Sequence, residues 1–224
     1  AICDMRIVHG PLSRSRTYTA IWDGITAINH TYKVISPFND TKKMIKIEHD
    51  FRRHTRMGEW LGQVGCLDGV LFKQRAPTVD DVRRHHVLRK DGFHVAAQVV
   101  VDYWRRITWF DIGWVPKTHD SMQFFGTALG HRIYDADALP HPFFVNTDSA
   151  YQLGCCCITP GGGSDFDWLQ SSYRMPVECI FGILKERFSI FQRPLRCRND
   201  RRPALIEATF KLNNYLIDQR AQPI

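Results

Sequence analysis

The sequence predicts an α/β fold, a mixed sheet flanked by helices. Three apolar runs of strand character follow one another between residues 64 and 114. Segments with the 3.6-residue period of amphipathic helices stand before and after them. Between those later helical segments lies a fourth apolar run, from Phe143 to Tyr151.

In order, Tyr18, Ile21, Ile25, Ile28 and Tyr32 recur at steps of three and four, which predicts a helix from Pro11 to about Ile35. Ser13 and Ser15 are candidate N-caps. Ser36-Pro-Phe-Asn-Asp-Thr breaks that helix, and the charged stretch Thr41 to Thr55 predicts a second, short one. Neither segment carries a catalytic signature.

The strand runs are Val64 to Phe72, Phe93 to Tyr103 and Ile107 to Trp114, with Trp104-Arg-Arg106 as the turn of a hairpin. A helix from about His119 to Ile133 places Met122, Phe125, Leu129 and Ile133 on one side. Pro160-Gly-Gly-Gly-Ser164 reads as a flexible break or lid. A helix from about Tyr173 to Phe191 buries Val177, Phe181, Leu184, Phe188 and Phe191, and turns Arg174, Glu178 and Lys185 to a neighbouring face. A last helix runs from about Pro203 to Ile217. No internal repeat or low-complexity tract is visible. The division expected is a helical segment over 1–60 and one larger domain over 61–224.

With 224 residues, 44% of them hydrophobic and 12% aromatic, the chain has ample material for a buried core. Thirty Lys and Arg against 23 Asp and Glu leave a net charge of +7, which favours a polyanionic partner without proving one. No apolar run reaches the 18 or more residues of a membrane-spanning helix, so no membrane role is expected. No signal-like stretch opens the chain, and a soluble, intracellular protein is expected. Seven cysteines, three of them adjacent at Cys155, Cys156 and Cys157, fit neither a disulfide framework nor paired zinc spacing, and read as reduced thiols. The opening at Ala1 without an initiator methionine reads as a piece of a longer product or a damaged copy.

Three acids carry the chemistry. Asp68 interrupts Val64-Gly-Cys-Leu-Asp68-Gly-Val-Leu-Phe72, Asp148 ends the run from Phe143, and Glu178 borders the apolar stripe of its helix. Singly, Asp68-Gly69 fits a turn, Asp148-Ser149 a helix cap, and Glu178 a solvated position. Together they fit a divalent-metal site, because carboxylates among apolar neighbours need neutralising and converging ones repel unless a cation lies between them. Hard oxygen donors suit Mg²⁺ or Mn²⁺. Such a site supports two-metal cleavage of a phosphodiester. A phosphate-processing enzyme is then one hypothesis among several.

Several ordered stretches make the resemblance specific. They are Gly65-Cys-Leu-Asp68-Gly69, Gln98-Val-Val-Val-Asp102, Phe110-Asp-Ile-Gly-Trp114 with Thr118-His-Asp-Ser121, Asp148-Ser-Ala-Tyr151, Val177-Glu-Cys-Ile-Phe-Gly182 with Leu184-Lys-Glu-Arg-Phe188, Arg193-Pro-Leu195 and Leu212-Asn-Asn-Tyr-Leu216. From about Phe51 to Asp218 the chain resembles the DDE superfamily endonuclease domain of PIF/Harbinger-type transposases. The resemblance implies an RNase H-like fold and Mg²⁺-dependent cutting and joining of DNA, with Asp68, Asp148 and Glu178 as catalytic metal ligands. It also implies a nuclear location and a separate Myb-like helper protein, and homo-oligomers are an open option.

The stretch from Gly10 to Ile21 resembles the last helix of the helix-turn-helix that commonly precedes this domain, and reads equally as a plain packing helix. The chain departs from its relatives at Gln152-Leu-Gly-Cys-Cys-Cys-Ile, where a proline usually follows the Asp-Ser-Ala-Tyr stretch. Arg174, Lys185, Arg193, Arg196 and Arg198 are candidate DNA contacts, a solvated basic surface being the rival reading. Asp111, His119 and Asp120 are candidates to support the site from behind, with a structural role favoured for the His-Asp pair. His85-His86, among Arg83, Arg84, Arg89 and Lys90, reads as a solvated loop. The competing function is a domesticated or decayed relative that binds DNA or a partner without cutting.

Overall fold

The computed structural model describes residues 13–54, 60–76, 92–114, 116, 118–134, 139–163 and 165–221. Helix α1, Arg14–Thr31, is capped by Ser13, whose side chain accepts from the Arg16 amide at 3.2 Å. Helix α2, Thr41–Arg53, is capped by Asp40, which accepts from the amides of Lys42 and Lys43. Both caps satisfy amides that the first helical turn leaves without partners.

Strands β1 (Gln63–Gln74), β2 (Phe93–Val101) and β3 (Ile107–Trp114) form an antiparallel meander. The β2–β3 turn closes on Asp102, whose carboxylate accepts from the Arg106 amide at 2.8 Å, while Arg105 takes a left-handed φ of 67°. Two short strands, β4 (Phe144–Asn146) and β5 (Cys157–Ile158), add in parallel to the other edge of β1. The sheet order is β3-β2-β1-β4-β5. This five-stranded mixed sheet with helices against it agrees with the RNase H-like α/β fold expected.

The alternation of β1 and β2 sends side chains to two cores. On one face Cys66, Val70, Phe72, Ala97 and Val99 pack with Val177, Ile180 and Leu184 of helix α6 (Met175–Arg187) and with Ile206 and Phe210 of helix α7 (Arg202–Ala221). On the other, Val64, Leu67, Val100 and Val145 pack with Phe124, Leu129, Ile133 and Tyr151. Burying each large apolar side chain contributes roughly 1.5–3 kcal/mol. Helix α1 joins the first core through Ile25, and its Asn29 side-chain amide donates to the Ala204 carbonyl at 2.8 Å. No helix among the described residues is long and apolar enough to cross a membrane.

The single helix expected from His119 to Ile133 is two, α3 (Asp120–Phe125) and α4 (Ala128–Tyr134). The chain folds back so tightly that a Cβ on Gly130 would stand 1.8 Å from the Phe124 carbonyl oxygen. The break shifts the phase, so Phe124 is buried while Met122 and Phe125 are exposed. Helix α5, Asp165–Ser172, was not expected. The glycines before it are held: the amides of Gly161, Gly162 and Gly163 all donate to the Asp167 carboxylate. Three successive amides on one carboxylate form an anion nest, which replaces the flexible break expected there. The helix expected to reach Phe191 ends at Arg187, and a 3₁₀ turn, Ser189–Gln192, completes the segment. Residues 83–90 lie outside the described residues.

Candidate active site

Asp68 lies in the middle strand, on the face that receives α6. Its side chain is 20% exposed, and one carboxylate oxygen accepts from the Gly69 amide at 2.7 Å. Strand β4 runs parallel beside β1 with Cys66 opposite Asn146; that register, continued two residues, brings Asp148 alongside Asp68. Asp148 sits past the end of β4, where its carboxylate accepts from the Ala150 amide at 3.0 Å and closes a turn, not a helix cap. Burial is the main force on the Asp68 carboxyl, and the Asp148 charge is the next. Together they push its pKa to about 6 against the relief given by Arg174.

Arg174 and Glu178 come from the start of α6. One guanidinium nitrogen of Arg174 lies 3.6 Å from Asp68 and 3.7 Å from Glu178. These separations are beyond hydrogen-bond range, so the attraction is between charges. Arg174 was a candidate DNA contact in the sequence; its side chain is 10% exposed and turned inward between two carboxylates, away from the outer surface. Its Nε is buried without a hydrogen-bond partner. Glu178 has 53% of its side chain exposed. Among the described residues, no three His, Cys, Asp or Glu side chains stand close enough together to hold a metal ion.

Behind Asp68 lies a second set of groups. The Gln98 amide donates to Asp120 at 3.4 Å, and the Tyr151 hydroxyl donates to the Gln98 carbonyl. Asp120 packs over Gly69 so closely that a Cβ there would meet its carboxylate oxygen at 2.7 Å. The Tyr151 hydroxyl is driven well above its usual range by burial, then by the charges of Asp120, Asp68 and Asp148. Five groups from four segments, Asp68, Gln98, Asp120, Asp148 and Tyr151, therefore share one electrostatic environment. Gln98 and Tyr151 stand in stretches that carry the family resemblance but had no site role in the sequence, although a glutamine within the apolar run from Phe93 to Val101 was a signal for Gln98.

The remaining candidates are spread out. His119 precedes α3, and its side chain makes no capping hydrogen bond. Asp111 stands on β3 opposite Gln98, half-buried. Lys185 is exposed on α6, and Arg193, Arg196 and Arg198 are exposed beyond it, Arg198 pairing with Asp200 at 3.2 Å.

Comparison with known families adds one decisive match: the model of the DDE superfamily endonuclease covers residues 67–214. The chain belongs to the DDE superfamily endonucleases. That span runs from Leu67, beside Asp68, to Asn214 in α7, and so includes all three acids. No curated protein and no solved structure matches the chain. Membership makes this a transposase-like nuclease domain with DNA as its partner, in a family that generally uses divalent metals.

Proposed function

We propose that this DDE endonuclease domain is a Harbinger-type transposase domain that cleaves DNA phosphodiester bonds, with Asp68, Asp148 and Glu178 as its catalytic metal ligands. The observation that carries the reading is the crowding at Asp68. A mostly buried carboxylate at the centre of the sheet feels the charge of Asp148, and Arg174 links it to Glu178.

The donor set fits Mg²⁺ or Mn²⁺. Asp68 and Asp148 offer hard oxygens whose mutual repulsion a divalent cation would relieve, and Asp120 adds to that repulsion. Held by Asp68, Asp148 and Glu178, two such ions would supply Lewis-acid activation of the attacking water or hydroxyl and stabilisation of the leaving oxygen. The chain's own residues have separate tasks. Asp68 is fixed by the strand and the Gly69 amide, and Asp148 by its turn. Arg174 holds Glu178 toward Asp68 as an internal counter-ion. Lys185 and the arginines at 193, 196 and 198, all exposed, would bind DNA phosphates, an interaction that positions the strand without reading sequence. In keeping with this reading, the N-terminal helical segment corresponds to the last helix of a helix-turn-helix, and the domain works in a nucleus with a Myb-like helper.

A second reading rests on a specific observation. Arg174 stands between Asp68 and Glu178, and no acidic trio among the described residues is close enough to chelate. A domesticated module that binds DNA without cutting would keep such an arrangement.

Nicking of supercoiled plasmid decides between them. The endonuclease reading expects nicking with Mg²⁺ or Mn²⁺ that Asp68→Asn and Glu178→Gln both abolish. Equal nicking by all three proteins would contradict the assigned site. DNA binding by the wild type without nicking under either metal would favour the module.

A further inference from the structure

A hollow of about 900 Å³ opens between the β2–β3 turn and the junction of α5 with α6. Its walls include Tyr103, Trp104 and Arg105 from the turn, and Trp168, Tyr173 and Met175 from the junction. Three of these are large apolar side chains left open to solvent: Trp168 is 69% exposed, Met175 56% and Trp104 48%. Apolar side chains gathered in one concavity and left uncovered mark a binding surface, whereas scattered ones need no explanation. The volume lies within the roughly 300–1,000 Å³ of sites that take small ligands.

The walls are braced before any ligand arrives. The His54 ring stacks on Tyr103 with centroids 4.4 Å apart and planes 17° from parallel, and the Trp104 indole N–H donates to Asp50 at 3.0 Å. On the other wall, the Tyr173 carbonyl accepts from the Gln63 side-chain amide at 3.2 Å and from the Cys66 thiol at 3.1 Å. This second tie fixes the hollow to the acidic cluster, because Tyr173 and Met175 flank Arg174 in sequence and Cys66 lies two residues before Asp68. In the sheet, Val99 pairs with Asp68 and the turn begins three residues later at Asp102, about 10 Å away by the strand rise. A hollow walled by aromatic side chains, with a guanidinium at its wall, thus adjoins the acidic cluster within the reach of one or two nucleotides.

We propose that this hollow takes an unpaired base of the DNA strand whose backbone enters the acidic cluster, stacked against Trp168 and Trp104. The proposal rests on the nuclease reading for its ligand. Arg105 balances the flanking phosphate. Base–aromatic stacking tolerates any base, so the hollow fixes the strand's register and its unpaired character without specifying sequence.

The test uses binding without metal, so that it is independent of cutting. Anisotropy of a fluorescein-labelled oligothymidylate of about twelve residues is compared with that of the same backbone carrying abasic sites, both in EDTA. Wild-type protein is expected to prefer the base-bearing strand roughly tenfold, and Trp168→Ala to abolish the preference while abasic affinity stays unchanged. Trp104→Ala is expected to do the same, but its indole also bonds Asp50. Trp168→Ala decides if that variant misfolds by circular dichroism, since truncating an exposed residue leaves the core intact. Equal wild-type affinity for the two strands, binding to neither, or a preference retained in folded Trp168→Ala would each overturn the proposal. A preference lost as expected in a protein that never nicks plasmid would keep the base site and sink the nuclease reading alone.

Discussion

The guanidinium of Arg174 lies 3.6 Å from the carboxylate of Asp68, and the same nitrogen lies 3.7 Å from Glu178. The sequence separates Asp68 from Glu178 by more than a hundred residues. One cation set between them lowers the repulsion that folding would otherwise leave around Asp68. Removing it in Arg174→Ala leaves a mostly buried carboxylate without its counter-charge, at an expected cost of about 1–3 kcal/mol in the metal-free protein. Urea unfolding in EDTA measures this, and Arg174→Lys should recover part of the loss. A loss below about 0.5 kcal/mol would mean the contact contributes nothing beyond an ordinary surface pair.

Protonation offers an independent reading of the same crowding. Burial and Asp148 raise the Asp68 pKa from 3.8 to about 6, so the folded protein holds this proton more tightly than the unfolded chain. Stability of the metal-free protein therefore rises as pH falls through 6 toward 4, and the Asp68 penalty is fully present above 6. Asp102, raised to about 7 chiefly by burial, acts in the same direction. Asp68→Asn should flatten this part of the profile and raise neutral-pH stability by about 1–2 kcal/mol in EDTA. Thermal melts across that pH range check it; an unchanged profile in Asp68→Asn would exclude Asp68 as its source.

The close approach at Gly69 gives a steric test. Alanine there would place its Cβ 2.7 Å from the Asp120 carboxylate and 3.2 Å from the Gln98 amide. Asp120 must swing away, which breaks its contact with Gln98 and disturbs the charges around Asp68. Gly69→Ala is expected to cost about 1–3 kcal/mol by overpacking and to reduce nicking at least tenfold. A variant with wild-type stability and nicking would show that Asp120 is free to move without consequence.

The nest on Asp167 predicts that the glycine tract is ordered by one side chain. Asp167→Ala frees the amides of Gly161, Gly162 and Gly163 together, and hydrogen exchange at those amides should accelerate by at least tenfold. Exchange no faster than in the wild type would show that another contact holds the loop.

How much was legible follows from how local each signal is. Strand β3 begins and ends where its apolar run does, and the Ser13 cap of α1 follows from a short polar side chain before a periodic segment. The split between α3 and α4 escaped because Gly126-Thr-Ala-Leu-Gly130 carries no proline, and the fold-back depends on the contact of Gly130 with Phe124. Helix α5 escaped because the signal that holds its start, Asp167 reaching back to three glycine amides, runs against the usual reading of a glycine tract. Asp68, Asp148 and Glu178 were legible as charges set in or beside apolar runs. The inward turn of Arg174 was not, because its helical spacing from Glu178 suits both a phosphate contact and an ion pair. The Gln98, Tyr151 and Asp120 group required tertiary folding, since each comes from a different segment.

Joint binding of a divalent cation by Asp68, Asp148 and Glu178, on which the proposed function depends, can be measured directly. Calorimetric titration of Mn²⁺ into the wild type, Asp68→Asn, Asp148→Asn and Glu178→Gln tests it without any cleavage. Saturable binding to the wild type is expected, weakened at least tenfold in each variant, since loss of even a group that only supports a ligand costs about that much. Wild-type protein that takes up no Mn²⁺, or variants that bind it as tightly as the wild type, would rule out a shared metal site on these three acids.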